Sequence, residues 1–299
     1  MSASHHAPDI LGVFAAIFCG FGWSLSIILW KKIDADFNPI LINLGKNVTG
    51  FLLFIVTVLL FDRSFPLVAS TDMWALLISG FIGIGIADAL VLRSIHFLPA
   101  SNVALLETLY SPFIIGLAII FLGDSLSLVQ CLGIALILGS VIYIQQPGRQ
   151  DMRMNGPLMK GLFYMVTGLF CMAIGVVLMK PVLHKIPLLW VITIRMAAGV
   201  LGSVLVFLFV KQKKEAVLYA VRSQQKLLVF SSFVVSAYMA IIFWIMGFKL
   251  LEVSLSAVLN QLSTIFTVLM AAMFLGERLT LGKVMATVGA VIGVVIISA

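Results

Sequence analysis

Apolar residues run along this chain in blocks of about twenty, separated by short polar breaks. The blocks fall near 10–30, 40–61, 74–92, 101–121, 127–144, 157–179, 187–210, 227–247, 253–275 and 281–298. Roughly 20 residues of helix cross the hydrocarbon core of a bilayer, so each block predicts one membrane-spanning helix. The breaks carry turn chemistry, as at Asp34 to Pro39, Asp62 to Pro66, Gly123-Asp124-Ser125, Gln145 to Pro157, Pro181 to Pro187 and Gly276 to Thr280. The longest polar stretch, Lys211 to Lys226, reads as a loop. The runs are continuous and do not alternate every second residue, which argues against a β-barrel. Helices also pair every backbone group within one segment, as lipid requires. The predicted fold class is an all-α integral membrane protein with ten transmembrane helices.

Composition closes off the soluble alternative. Hydrophobic residues make up 62% of the 299 and charged residues 10%, against about 25% charged in a soluble globular chain. The net charge of +7 does not point to nucleic acid, because no stretch interleaves basic and aromatic residues into a binding platform. The basic residues are instead divided unequally between the two sets of loops, thirteen on one side and four on the other, with Lys46 and Arg195 inside helices. The positive-inside rule places the thirteen in the cytoplasm and both termini outside. The first nine residues hold no Lys or Arg, so no cleavable signal peptide is expected. The short loops and basic cytoplasmic ends suit a bacterial inner membrane, with the termini periplasmic.

Several chemistries lack their signatures. There is no GxxxxGK[ST], HExxH or GxSxG pattern, so neither an ATP-driven engine nor the common protease and esterase sites are encoded. Cys19, Cys131 and Cys171 are far apart inside apolar runs, and His5, His6, His96 and His184 do not cluster. No metal, no cofactor and no enzymatic activity are expected.

The chain repeats itself. Lys31 matches Lys180, Lys46 matches Arg195 and Gly50 matches Gly199 at an offset of 149. Phe121-Leu122-Gly123-Asp124-Ser125-Leu126-Ser127 matches Phe274-Leu275-Gly276-Glu277-Arg278-Leu279-Thr280 at 153, as do Ser101 with Ser254, Ala104 with Ala257 and Glu107 with Asn260. The difference implies a short insertion in the second half, most simply within Lys211 to Lys226. The expected units are 1–150 and 151–299. Five spans is an odd number, so the second unit enters the membrane from the opposite face. Inverted repeats of this kind build many secondary transporters, with the substrate near the midplane.

The stretch Ser101-Asn102-Val103-Ala104-Leu105-Leu106-Glu107-Thr108-Leu109-Tyr110-Ser111-Pro112 followed by Phe121-Leu122-Gly123-Asp124, with its second copy ending Phe274-Leu275-Gly276-Glu277, resembles the drug/metabolite transporter superfamily, EamA-type ten-helix branch. The resemblance implies a central cavity lined by spans 1–4 and 6–9, with spans 5 and 10 peripheral. It also implies export of amino acids or other metabolites, or exchange of nucleotide sugars and sugar phosphates. Pro112 departs from the repeat, since its partner is Ile265, so a kink in span 4 is not expected in span 9.

Ionisable residues inside apolar helices are expensive and usually face a cavity or a partner. Lys46, Asp88, Glu107 and Arg195 are the four. Asn43, Lys46, Asn47 and Gly50 form one polar stripe; Ala104, Glu107, Thr108 and Ser111 form another, repeated by Ala257, Asn260, Gln261 and Thr264. The predicted binding set is Lys46, Arg195, Glu107, Asn43, Tyr110, Ser111, Tyr238, Asn260 and Trp23. In it, Lys46 and Arg195 attract an anionic group, and Glu107 is the proton-coupling candidate with Asp88 second. Snorkelling of Lys46 and Arg195 toward opposite interfaces stands as the plain alternative, as does pairing of Asp88 with Arg93. Asp124 and Glu277 read as turn residues ahead of helix N-caps at Ser127 and Thr280. The Gly289/Gly293 spacing permits close helix contact, either within the chain or in a homodimer. The partners expected are a small-molecule substrate, the bilayer and a proton, in a monomer or homodimer. A transporter of organic cations, using Glu107 and the aromatics, is the rival reading; a membrane-embedded enzyme or scaffold is the more distant one.

Overall fold

The computed structural model describes residues 10–33, 36–62, 64–122, 128–144, 156–182, 185–250 and 262–298. These residues are helical throughout their ordered elements, with no strand among them. The helices are α1 (Ile10–Lys32), α2 (Pro39–Phe61), α3 (Ser70–Ile95), α4 (Ala100–Glu107), α5 (Tyr110–Leu122) and α6 (Leu128–Ile144) in the first half. The second half holds α7 (Gly156–Met179), α8 (Leu188–Leu208), α9 (Lys213–Arg222), α10 (226–250), α11 (Leu262–Leu275) and α12 (Leu281–Ser298). Six of the helical segments are long and apolar enough to cross a membrane: α1, α2, α3, α7, α8 and residues Lys226–Trp244 of α10.

Local chemistry explains several boundaries. Pro39 opens α2 where its missing N–H is harmless, and the Asn38 side-chain oxygen accepts from Ile40 and Leu41 N–H at 2.9 and 3.3 Å. Gly276 ends α11 in the left-handed region at φ 68°, where glycine carries no steric penalty. The expected span 4 is broken into α4 and α5. Pro112 has no N–H for the Thr108 carbonyl, and the preceding turn tightens, with Thr108 and Leu109 N–H donating to Leu105 and Leu106 carbonyls three residues back. The polar stretch read as a loop contains α9, a surface helix without buried residues. Its Tyr219 ring meets Phe37 edge-on at 5.2 Å.

The polar residues of the spans are buried among an apolar core, while the outer faces are apolar too. On α2, Asn43, Lys46, Asn47, Gly50, Phe54 and Val58 are buried while Leu52, Val56, Leu59 and Leu60 are exposed. In water that arrangement would expose a large apolar patch, so the outer solvent is lipid. Packing exchanges elements between halves. The first helix of each half lies against the other half, α1 on α10 and α11, and α7 on α3 and α5. Span α2 packs on α8, and α6 packs on α12 with few contacts to other helices among the described residues. In that last pair a Cβ on Gly289 would strike the Ser140 hydroxyl, and one on Gly293 the Gly133 carbonyl. The GxxxG face is therefore used within the chain.

Candidate functional site

Both halves carry a π-turn in their third span. Residues Phe81–Ile86 of α3 and Val235–Met239 of α10 form it, and the two segments correspond at the repeat offset of 153 to within one residue. A π-turn interrupts the regular ladder and often accompanies function. Around the first one, helix α2 supplies the compensating donors. The Asn43 amide donates to the Gly85 carbonyl at 3.0 Å and to Ser203 Oγ at 3.1 Å. The Asn47 amide donates to Ser203 Oγ at 2.8 Å and to the Ile84 carbonyl at 3.5 Å. Asn43 and Asn47 thus tie α2, α3 and α8 together. Close backbone approach does the rest: a Cβ on Gly80 would overlap the Arg195 carbonyl, and one on Gly83 would sit 3.1 Å from the Gly175 Cα.

Two residues past the π-turn, Asp88 meets Lys46. The ammonium lies 2.5 Å from Asp88 Oδ2, and both side chains are mostly buried. This replaces the alternative pairing of Asp88 with Arg93, whose guanidinium instead lies over the Tyr164 ring at 5.0 Å. It also removes the snorkelling alternative for Lys46.

Arg195, the repeat counterpart of Lys46, is treated differently. It is buried in α8, and its Nη1 contacts the Met179 sulfur at 2.8 Å. Its Nε is buried with no hydrogen-bond acceptor, and no carboxylate pairs with it among the described residues. The reason is legible in the repeat. Position 88 corresponds to position 241, and Ile241 stands there, packed with Ile192 and Met196. The first half answers its cation with an acid; the second half answers with a methyl-rich side chain. Tyr110, in the first turn of α5, is within electrostatic reach of both Arg195 and Asp88. The Lys46–Asp88 pair of α2 and α3 and the buried Arg195 of α8 thus make up a polar centre with an excess positive charge, with half-buried Tyr110 of α5 toward it.

The other candidates lie elsewhere or are committed. Glu107 closes α4 immediately before the helix break and has no ion pair among the described residues. Ser111 falls in the first turn of α5. The Tyr238 hydroxyl is 2.7 Å from Thr57 Oγ1, and its ring meets Phe54 edge-on at 5.2 Å, so its polar end serves contact between α10 and α2. Trp23 is half-buried on α1, hydrogen-bonded with Cys19. Asn260, Gln261, Asp124 and Ser127 lie outside the described residues.

Sequence reasoning missed the reach of Glu277. Thr280 does cap α12, accepting from Lys283 N–H at 3.3 Å, but Glu277 is more than a turn residue. Its carboxylate accepts from Ala100 N–H at 2.6 Å and from the Ser101 hydroxyl at 2.5 Å, with Lys283 Nζ at 3.3 Å. It caps α4 from the other half of the chain, where the free N–H groups of a helix start attract an anion. Burial alone would raise its pKa, yet the hydrogen bonds from Ser101 and Ala100 and the Lys283 charge outweigh it and hold the carboxyl below its usual value. Helix-start polarity followed by an acid 176 residues later is not a signal that sequence spacing exposes.

The comparisons with known proteins agree with this architecture. The model of the EamA-like transporter family matches the chain twice, over residues 10–145 and 159–299. No curated protein matches the chain. A solved crystal structure is similar at a TM-score of 0.65 and 15% identity, covering 96% of this chain and 94% of its own, a likeness of fold alone.

Proposed function

Because this chain belongs to the EamA-like transporter family, we propose that it is a ten-span secondary transporter of small metabolites bearing an anionic group, amino acids being the leading class. The two halves are inverted copies that expose a central site alternately to each face of the inner membrane, with export the net direction and both termini periplasmic. The reading is carried by one observation: Arg195 is buried without a carboxylate partner. A buried guanidinium presents planar, paired donors suited to a carboxylate or phosphate, and an unpaired one is costly. A bound anion offsets that cost only while substrate occupies the site. The break between α4 and α5 and the π-turn of α3 lie beside it, as discontinuous helices commonly do at transporter sites.

Glu107 is the proposed proton carrier, since it has no cation among the described residues to hold it ionised. Substitution Glu107→Gln is expected to leave substrate exchange intact and to remove the dependence of net flux on a proton gradient. The deciding experiment is counterflow in proteoliposomes with labelled amino acids, sugar phosphates and organic cations. An anionic or zwitterionic substrate should exchange with the wild-type protein and lose at least tenfold in rate with Arg195→Met. Exchange of organic cations unaffected by that substitution would overturn the assignment and move the binding role to Glu107 and the aromatics.

A further inference from the structure

At the basic end of the spans, away from the buried centre, α3 and α7 flank an open cavity of about 440 Å³. Two cations line it. Arg93 is in the last turn of α3 and Lys160 in the first turns of α7. Both are exposed, and neither pairs with a carboxylate among the described residues. The Arg93 guanidinium carbon lies over the Tyr164 ring, 5.0 Å from its centroid. Lys160 and Tyr164 are four residues apart on α7 and share a face. The wall toward lipid is apolar: Phe163 is 66% and Met159 48% exposed, and Phe97 also lines the cavity.

We propose that this cavity binds the headgroup of an anionic glycerophospholipid from the cytoplasmic leaflet. Its size is within the range of small-ligand sites. Its position at the helix ends is headgroup depth, and basic pockets between helices on the cytoplasmic side attract such lipids. Arg93 and Lys160 receive the phosphate, and the acyl chains run along Met159 and Phe163. Two cations with no acid among the described lining residues favour a net-negative lipid over a zwitterionic one, whose ammonium they repel. A free phosphate would satisfy the cations equally but would leave the exposed aromatic wall without a role.

The test is native mass spectrometry and thermal melting of the full-length protein in detergent, titrated with phosphatidylglycerol, phosphatidylcholine or inorganic phosphate. Phosphatidylglycerol should form a discrete one-to-one adduct and raise the melting temperature, whereas phosphatidylcholine should do so far less. Each of Arg93→Gln and Lys160→Gln should weaken the adduct about fivefold, and Lys214→Gln, on the surface helix α9, should not. Lys160 is on the surface, so its substitution reads binding even if Arg93→Gln disturbs folding. Equal stabilisation by phosphatidylcholine, protection by inorganic phosphate alone, or unchanged adducts in Lys160→Gln would each overturn the proposal.

Discussion

Lys46 and Asp88 form an ion pair 2.5 Å long between α2 and α3, and Arg195, related to Lys46 by the repeat, contacts the Met179 sulfur and has Ile241 at the repeat position of that acid. The polar centre is thus neutral on one side and positive on the other. Two positions equivalent in the repeat carry different electrostatic environments.

Breaking the pair from the acid side should be severe. Asp88→Asn leaves the Lys46 ammonium buried and unpaired, an effect of about 3–5 kcal/mol. We expect a large fall in melting temperature, and the double variant Lys46→Met/Asp88→Leu should recover most of it. Melting in detergent of the single and double variants checks both statements.

Restoring symmetry should act in the opposite sense. Ile241→Asp places a carboxylate at the repeat position of Asp88, facing α8. Thermal stability should hold or rise, while exchange of an anionic substrate falls at least tenfold because the new acid competes for Arg195. Unimpaired exchange in this variant would show that the guanidinium does not meet substrate.

Gly80→Ala should be destabilising by a steric route. The added Cβ runs into the Arg195 backbone carbonyl, and backbone cannot yield as a flexible side-chain end can. Overpacking of this kind costs about 1–3 kcal/mol. A melting curve is the readout, and Gly116→Ala, where the added Cβ meets nothing within 4 Å, is the control.

Glu277 predicts a pH dependence. Its pKa is held below the usual value in the folded chain, so its contribution to stability is full above the unfolded value, near 4.5, and disappears as pH falls through the lower, folded one. Glu277→Gln should reduce stability at neutral pH by about 1–3 kcal/mol and flatten the acid limb of the melting profile below that value. Ser101→Ala should do the same to a smaller extent.

What the sequence disclosed and what it withheld divide along the range of the interaction. Apolar runs mark the spans because lipid acts on each segment alone, and the repeat is visible because offsets survive where geometry does not. Pro112 announces the break near Thr108 because its missing N–H acts within one turn. The partner of Asp88 is 42 residues away and depends on how two helices face each other, so nearby Arg93 was as plausible. The π-turns leave no pattern beyond the glycines at 83 and 85 in the first. Helix α9 was hidden because its charged residues read as loop, although they suit a helix lying on the surface.

The single acid at position 88 also bears on how such a chain arises. Two identical five-helix subunits assembled as a symmetric pair would carry that carboxylate twice or not at all. An odd charge at the centre requires two copies free to diverge, as the two halves of one polypeptide are. Covalent fusion here does more than fix stoichiometry: it permits one cation to be retired into the framework while its twin is left without an acid of its own among the described residues.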